Sequence, residues 1–184
     1  MLSTLPKQFS ASLRALIVGL LVGCCVSTAV ADELAEAERL LKQGQALQAL
    51  DKVELAIAGK PRELHGRFLK GLILTEMGRQ SEAITLYTQI SEDYPELPEP
   101  YNNLAVLYAQ QKQYDRARQL LEMAIRTHPG YALARENLGD VYVRLASQSY
   151  DEALRLDASN KAMKAKLAQL RELGSAPATG GRVK

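Results

Sequence analysis

The sequence predicts an all-α protein, an α-solenoid of repeated helix-turn-helix units closed by a C-terminal capping helix. Three observations predict it. Alanine and leucine dominate over β-branched residues, the apolar share is 47% and charge is plentiful, a balance that favours helices. Apolar residues recur at steps of three and four, which places one apolar stripe on each helix. Above all, several residue classes recur at one shared interval: Pro61, Pro95 and Pro129; Ala49, Ala83 and Ala117; Gly71, Ala105 and Gly139; Tyr108 and Tyr142.

The segment ahead of Asp32 stands apart. Lys7 and Arg14 are the only charges in it, and they precede the apolar run ALIVGLLVGCCV and then STAVA. A basic start, an apolar run and small residues at Ala29 and Ala31 predict a secretory signal peptide, 1–31, cleaved after Ala31. Two alternatives stay open. Leu21-Val22-Gly23-Cys24 is similar to a lipoprotein lipobox, which would make Cys24 a lipidated first residue, although the stretch after it stays apolar. A retained membrane anchor is the other, on a run somewhat short of the ~20 residues a transmembrane helix needs.

Removing positions 1–31 takes two of the 23 basic residues and none of the 21 acidic ones, which leaves 21 of each sign. A neutral domain lacks the electrostatic footprint of a nucleic-acid binder, so no nucleic acid is expected. Both cysteines, Cys24 and Cys25, fall in the same segment. A chain cleaved after Ala31 would therefore enter an oxidising compartment without disulfide or thiol chemistry.

The shared interval and the residues that carry it resemble the tetratricopeptide repeat (TPR) family. In the unit from Pro98, Tyr101, Leu104, Ala105 and Tyr108 fill the family's first-helix positions; Ala117, Leu121 and Ala124 fill the second, and Pro129 closes the unit. The unit from Leu64 matches through Gly71, Leu74, Ala83, Tyr87 and Pro95, with Arg67 and Lys70 where large apolar residues are usual. The unit ending at Pro61 is weaker, with Ala37, Leu40, a Gly44 turn, Ala49 and Ala56. The resemblance implies a right-handed stack with units at about 32–61, 64–97, 98–131 and an atypical 132–160, then a capping helix over 160–174 and a disordered tail over 175–184. Small Ala105 and Ala117 let two helices approach, and the tyrosines at 87, 101 and 142 read as core packing. One unit cannot bury its own stripe, so neighbours supply the cover.

The fourth unit breaks the pattern. Ala146, Tyr150 and Ala153 repeat the spacing of Ala117, Leu121 and Ala124, yet Ala146 arrives five positions too early for the repeat interval. The missing positions are where the turn belongs, and no Gly or Pro lies between Val143 and Ala158. The expectation is one helix from Ala132 to about Asp157, roughly 39 Å long. Its stripe of Tyr142, Leu145, Tyr150 and Leu154 then needs a cover. The natural cover is the segment from Asn160, its N-cap, through Met163, Leu167 and Leu170 to Gly174, where the helix ends.

The resemblance implies a concave groove lined by the first helix of each unit. By this correspondence Phe68, Leu72, Val106 and Gln110 belong to it, with Asn102, Asn103 and Asn137, Asp140 and Arg144. In superhelical members of the family, asparagines at the position shared by Asn103 and Asn137 contact the backbone of an extended peptide, which a carboxamide can do as donor and acceptor at once; the alternative is that Asn102 and Asn103 satisfy the helix start or neighbouring loops. The family's basic clamp for C-terminal carboxylates falls on Phe68, Leu133 and Asn137, none of them basic, so no such clamp is expected. His65 and His128 are far apart in sequence, and no metalloprotease, phosphate-loop or nucleophile motif is present. Glu63, Glu76 and Asp140 read as solvated faces or interhelix bridges. No catalytic residue, metal or cofactor is expected.

The function expected is a non-enzymatic scaffold of the bacterial cell envelope, periplasmic, that binds an extended or helical segment of another protein. The alternatives are an outer-membrane TPR lipoprotein that assembles an envelope machine, pilus or cell-wall related, and a self-associating structural module. The membrane enters only through the signal peptide or a lipid anchor.

Overall fold

The computed structural model describes residues 30–175; the expectations for Cys24, Ala29 and residues 176–184 lie outside them. The described residues are helical, with no strand among them. The helices are α1 (residues 30–42), α2 (Ala46–Gly59), α3 (Leu64–Glu76), α4 (Gln80–Asp93), α5 (Pro98–Gln110), α6 (Tyr114–Thr127), α7 (Ala132–Leu156) and α8 (Lys161–Ser175). The fold is an all-α solenoid of short helical hairpins.

The hairpin turns follow one backbone device. Gly44, Gly78 and Lys112 recur at the repeat interval, and all adopt positive φ, at 75°, 71° and 60°. At each, the following N–H reaches back to the last turn of the helix: Gln45 to Leu40, Arg79 to Leu74 and Gln113 to Tyr108, all at 2.9 Å. This left-handed residue satisfies carbonyls the helix end would orphan, and glycine adopts it without a Cβ penalty. The second helices stop just as regularly. Lys60, Tyr94 and His128 terminate α2, α4 and α6, each followed at once by Pro61, Pro95 or Pro129.

The described residues form two compact units, divided between Ile73 and Leu74 inside α3. In the first, Leu34, Ala37, Leu40, Ala49, Leu50, Val53 and Ala56 are buried between α1 and α2, with Leu69 and Ile73 from α3. Val30 is buried too, close against Gly59, and Ala31 continues α1. Lys70, at a position expected to be apolar, lies half-covered and pairs with Glu54 at 2.7 Å. Its aliphatic stem covers surface while the ammonium stays wet.

The second unit is built around Ala105, Ala117, Leu121, Ala124, Ala134 and Val141, ringed by Tyr101, Tyr108, Leu120, Leu138 and Leu145. Ala105 of α5 and Ala117 of α6 are both buried in this cluster. Tyr87 is buried and Tyr101 half-buried, and the Tyr101 hydroxyl donates to the Pro95 carbonyl at 3.2 Å.

The position equivalent to Gly44, Gly78 and Lys112 would be residue 146, and there α7 does not turn. It runs 25 residues without interruption and ends at Asp157, whose N–H bonds the Ala153 carbonyl at 2.9 Å. A continuous α7 cannot fold back on itself, and Tyr142 shows the consequence. It is 49% exposed, whereas its equivalent Tyr108 is half-buried with the Arg116 guanidinium 4.6 Å over its ring. The expectation that Tyr142 is a core residue is therefore corrected.

Helix α8 packs on α7. Asn160 caps it, its Oδ1 accepting from the Met163 N–H at 3.0 Å. Leu167 is buried, Met163 and Leu170 are half-buried, Lys166 lies 5.8 Å over the Tyr150 ring and Arg171 pairs with Asp151 at 2.9 Å. Gly174 does not end this helix, which continues to Ser175.

Candidate functional site: a groove between the first helices of two successive repeats

A groove of about 570 Å³ lies between α5 and α7. Its walls are Ala105, Val106, Ala109 and Gln110 of α5, with Lys112 and Tyr114 beyond the helix end, facing Asn137, Asp140, Val141 and Arg144 of α7. The spacing is that of one helical face: 106, 109 and 110 on one side, and 137, 140, 141 and 144 on the other, are steps of three and four. Leu121 of α6, Val143 of α7, and Leu173 and Gly174 of α8 complete the lining.

Five expected groove residues therefore meet: Val106, Gln110, Asn137, Asp140 and Arg144. Val106 and Val141 give an apolar floor, while Gln110, Asp140 and Arg144 are accessible polar groups of mixed charge. Such a surface suits an amphipathic segment: apolar contacts supply area and a few polar groups fix register. Phe68 and Leu72 lie in the other compact unit, each half-buried on α3.

Asn102 and Asn103 do not line the groove. Both are fully buried, at 0% exposure, and Asn137 is buried at 7%. The Asn137 amide donates to Asn102 Oδ1 at 2.8 Å, and Asn102 in turn approaches Asn103 Oδ1 at 3.5 Å. The carboxamides thus join α5 to α7 beneath the groove. This corrects the expectation that Asn102 and Asn103 offer amides to a ligand: a side chain with no accessible surface cannot reach one. Asn137, which also lines the groove, is the single member of the set at its surface.

The inner end of this set lies against Tyr87. Burial pushes the Tyr87 hydroxyl well above its ordinary range, and the neighbouring Asn103 and Thr75 side chains oppose that in part. A tyrosine held neutral in this way acts as a structural hydroxyl.

Lys112, Tyr114, Leu173 and Gly174 were not expected in the groove. Lys112 and Tyr114 follow from the turn that ends α5, and Leu173 and Gly174 from the path of α8 along α7. The residues considered for chemistry fall elsewhere. The Glu63 carboxylate caps α3 by accepting from the N–H groups of His65 (3.1 Å) and Gly66 (2.5 Å), and the His65 ring pairs with Glu38 at 2.8 Å. The His128 ring sits edge-on to Tyr131 at 6.5 Å. Among the described residues no group of three or more His, Cys, Asp or Glu could hold a metal ion, and no helix is long and apolar enough to cross a membrane.

Two tetratricopeptide repeat profiles match the chain, over residues 34–98 and 74–138. With the regular interval and the hairpins already described, they establish that the chain belongs to the tetratricopeptide repeat family. Proteins of this family are generally non-catalytic scaffolds for protein–protein interaction. The chain is 36% identical over 74 residues to the chloroplastic tetratricopeptide repeat domain-containing protein PYG7 of Arabidopsis thaliana, covering 38% of this chain and 25% of that protein. It is 28% identical over 116 residues to the phagocyte signaling-impaired protein of Drosophila pseudoobscura pseudoobscura, covering 63% of this chain and 12% of that one. The chain thus matches only a quarter or less of either relative's length.

Among solved structures it is similar to the thermophilic TPR protein TTC0263 of Thermus thermophilus, with a TM-score of 0.60, 21% identity and coverage of 80% and 84% of the two chains. It is also similar to pilF of Pseudomonas aeruginosa, with a TM-score of 0.59, 20% identity and coverage of 85% and 74%. Identities this low speak for the fold alone.

Proposed function

We propose that this protein is a non-enzymatic scaffold of the bacterial cell envelope, and that the groove between α5 and α7 binds an extended or helical segment of another protein. The observation that carries the reading is the groove itself, about 570 Å³, with apolar residues at its base and Gln110, Asp140 and Arg144 at its rim. Its two long walls are helices packed on a common core and tied by the Asn137–Asn102 hydrogen bond. The scaffold therefore loses little conformational entropy on binding. The envelope location rests on the residues ahead of Asp32, and the exclusion of nucleic acid on the charge balance that follows it.

The test is selection of binders from a displayed library of random dodecapeptides against the full-length protein, with wild type and Val106→Glu compared by titration. The reading expects selected peptides to lose at least tenfold in affinity for the variant. Equal affinity for both proteins would remove the groove as the binding surface.

A second reading, self-association, has its own supporting observation. Leu156 is 91% exposed and Tyr142 49% exposed on α7, the helix whose hairpin partner is missing. Light scattering across a concentration series checks it: a constant monomer mass excludes it. A lipoprotein that acts in envelope assembly, anchored at Cys24, is the remaining alternative. Intact-mass analysis of the mature N-terminus separates it from a form that begins at Asp32.

A further inference from the structure

A continuous α7 carries the residues of both helices of a hairpin in one line. Its first half has Gly139 and Tyr142 where the preceding repeat has Ala105 and Tyr108. Its second half has Ala146 and Ala153 at the spacing of Ala117 and Ala124. In the preceding repeat these two sets share one cluster, because α6 folds back on α5. In α7 they cannot meet within one chain.

The two sets nevertheless fall on one face. Gly139, Tyr142, Ala146, Ser149, Ala153 and Leu156 follow one another by steps of three and four. This face is open. Tyr142 is 49% exposed, Leu156 is 91% exposed, Ser149 is exposed, and a Cβ at Gly139 would meet nothing within 4 Å. Helix α8 reaches other positions of α7: Lys166 lies over Tyr150, Arg171 pairs with Asp151, and Arg144 donates to the Gly174 carbonyl. None of the six residues lines the groove between α5 and α7.

The open face is its own complement. Tyr142 and Leu156 stand equally far from Ser149, about 10 Å each way along the helix, with Ala146 and Ala153 between. Turned end for end, a second copy sets its Leu156 on Tyr142, its Tyr142 on Leu156 and its Ser149 on Ser149. The small residues let the two axes approach closely, and the large ones close the ends. A two-fold interface requires such self-matching. Charge agrees as well. Arg118 of α6 donates through Nη1 to Glu122 at 2.7 Å and lies close enough to Tyr142 to interact with it electrostatically. The second copy brings there the negative end of its α7 and its Asp157 carboxylate. That carboxylate accepts from the Ser159 N–H at 3.1 Å and hydroxyl at 2.7 Å, which hold it below its usual range.

We propose that α7 pairs antiparallel with α7 of a second copy about a two-fold axis at Ser149, each copy supplying the second helix that the other's last hairpin lacks. This rests on the self-association reading and gives it a surface, an orientation and a register; it does not depend on the peptide reading of the groove. Helix α8 keeps its place, and both grooves stay open. A single pair of helices buries less than the ~1,600 Å² of a standard interface, so the dimer is reversible and its mass depends on concentration.

The test uses the full-length protein in light scattering across a concentration series, where the mass is expected to rise toward twice the monomer. Ser149→Glu sets like charges against each other at the axis and is expected to raise the dimer Kd at least tenfold. Leu156→Asp, at an almost bare side chain that the monomer does not bury, is expected to do the same, so misfolding of one variant does not decide the outcome. Leu47→Asp, at an exposed leucine of α2, and Val106→Glu, in the groove, are expected to leave the Kd unchanged. Register is read by placing benzoylphenylalanine at Tyr142 and illuminating a mixture of heavy- and light-isotope protein. Adducts between heavy and light chains are expected at residues 153–157. A monomer at every concentration removes self-association and the pairing together. A dimer that neither Ser149→Glu nor Leu156→Asp weakens keeps self-association and overturns the pairing. Heavy–light adducts at residues 139–146, which a parallel pair would give, overturn it too.

Discussion

Asn137 and Asn102, on first helices of successive repeats, share a buried hydrogen bond of 2.8 Å. It ties one repeat to the next under the floor of the groove. Removing the donor leaves the Asn102 carbonyl oxygen buried without this partner, which costs roughly 1–3 kcal/mol. Asn137→Ala is therefore expected to lose that much stability, read as a lower urea midpoint with an unchanged slope. A ligand-facing asparagine would leave stability intact, so an unchanged midpoint would count against the structural role.

Lys112 holds the left-handed position that Gly44 and Gly78 hold in the preceding turns. A side chain there costs about 1–2 kcal/mol, offset in part by glycine's greater freedom in the unfolded chain. Lys112→Gly is expected to stabilise the protein by roughly 0.5–1 kcal/mol, and Gly78→Ala to destabilise it by about 1 kcal/mol. Thermal and urea unfolding of the two variants give the signs, and the same sign for both would contradict the shared turn geometry.

The continuity of α7 is tested at its middle. Proline inside a helix removes a hydrogen bond and clashes with the preceding turn, at about 3 kcal/mol or more. Ser147→Pro is expected to cost that much and to reduce far-ultraviolet helical ellipticity. A turn at 147–149 would tolerate it.

Alkaline pH probes Tyr87. Burial raises its pKa in the folded protein above the ordinary value of 10.0. Its contribution is therefore present in full below that value and is lost as pH rises through the folded value. Stability is expected to fall as pH rises above about 10, and Tyr87→Phe to flatten that fall. Unfolding midpoints on either side of the ordinary tyrosine pKa measure it, and identical slopes for the two proteins would contradict the assignment.

The regular interval made the hairpins and the three stop points legible, because prolines and small residues leave a visible record. The missing turn made α7 legible for the same reason: the second-helix spacing of Ala117, Leu121 and Ala124 reappears early at Ala146, Tyr150 and Ala153. The burial of Asn102 and Asn103 is not legible because a helical face has no sharp edge in sequence. Positions 102 and 106 are neighbours on α5, yet α7 closes over the first and leaves the second open. At Lys112 the residue type gives no sign of a left-handed backbone; only its place one repeat interval after Gly44 and Gly78 does. Leu173 and Gly174 reach the groove only through the direction in which α8 crosses α7, and spacing within α8 does not encode that direction.

The groove is tested most directly by placing a photoreactive benzoylphenylalanine at Gln110, at its rim, and in a separate protein at Gln119, on α6 and outside the groove lining. After illumination in the cells that make the protein, the account predicts a discrete higher-mass adduct from position 110, lost on adding Val106→Glu, and none from 119. Adducts from 119 alone, or from 110 regardless of Val106, would contradict it.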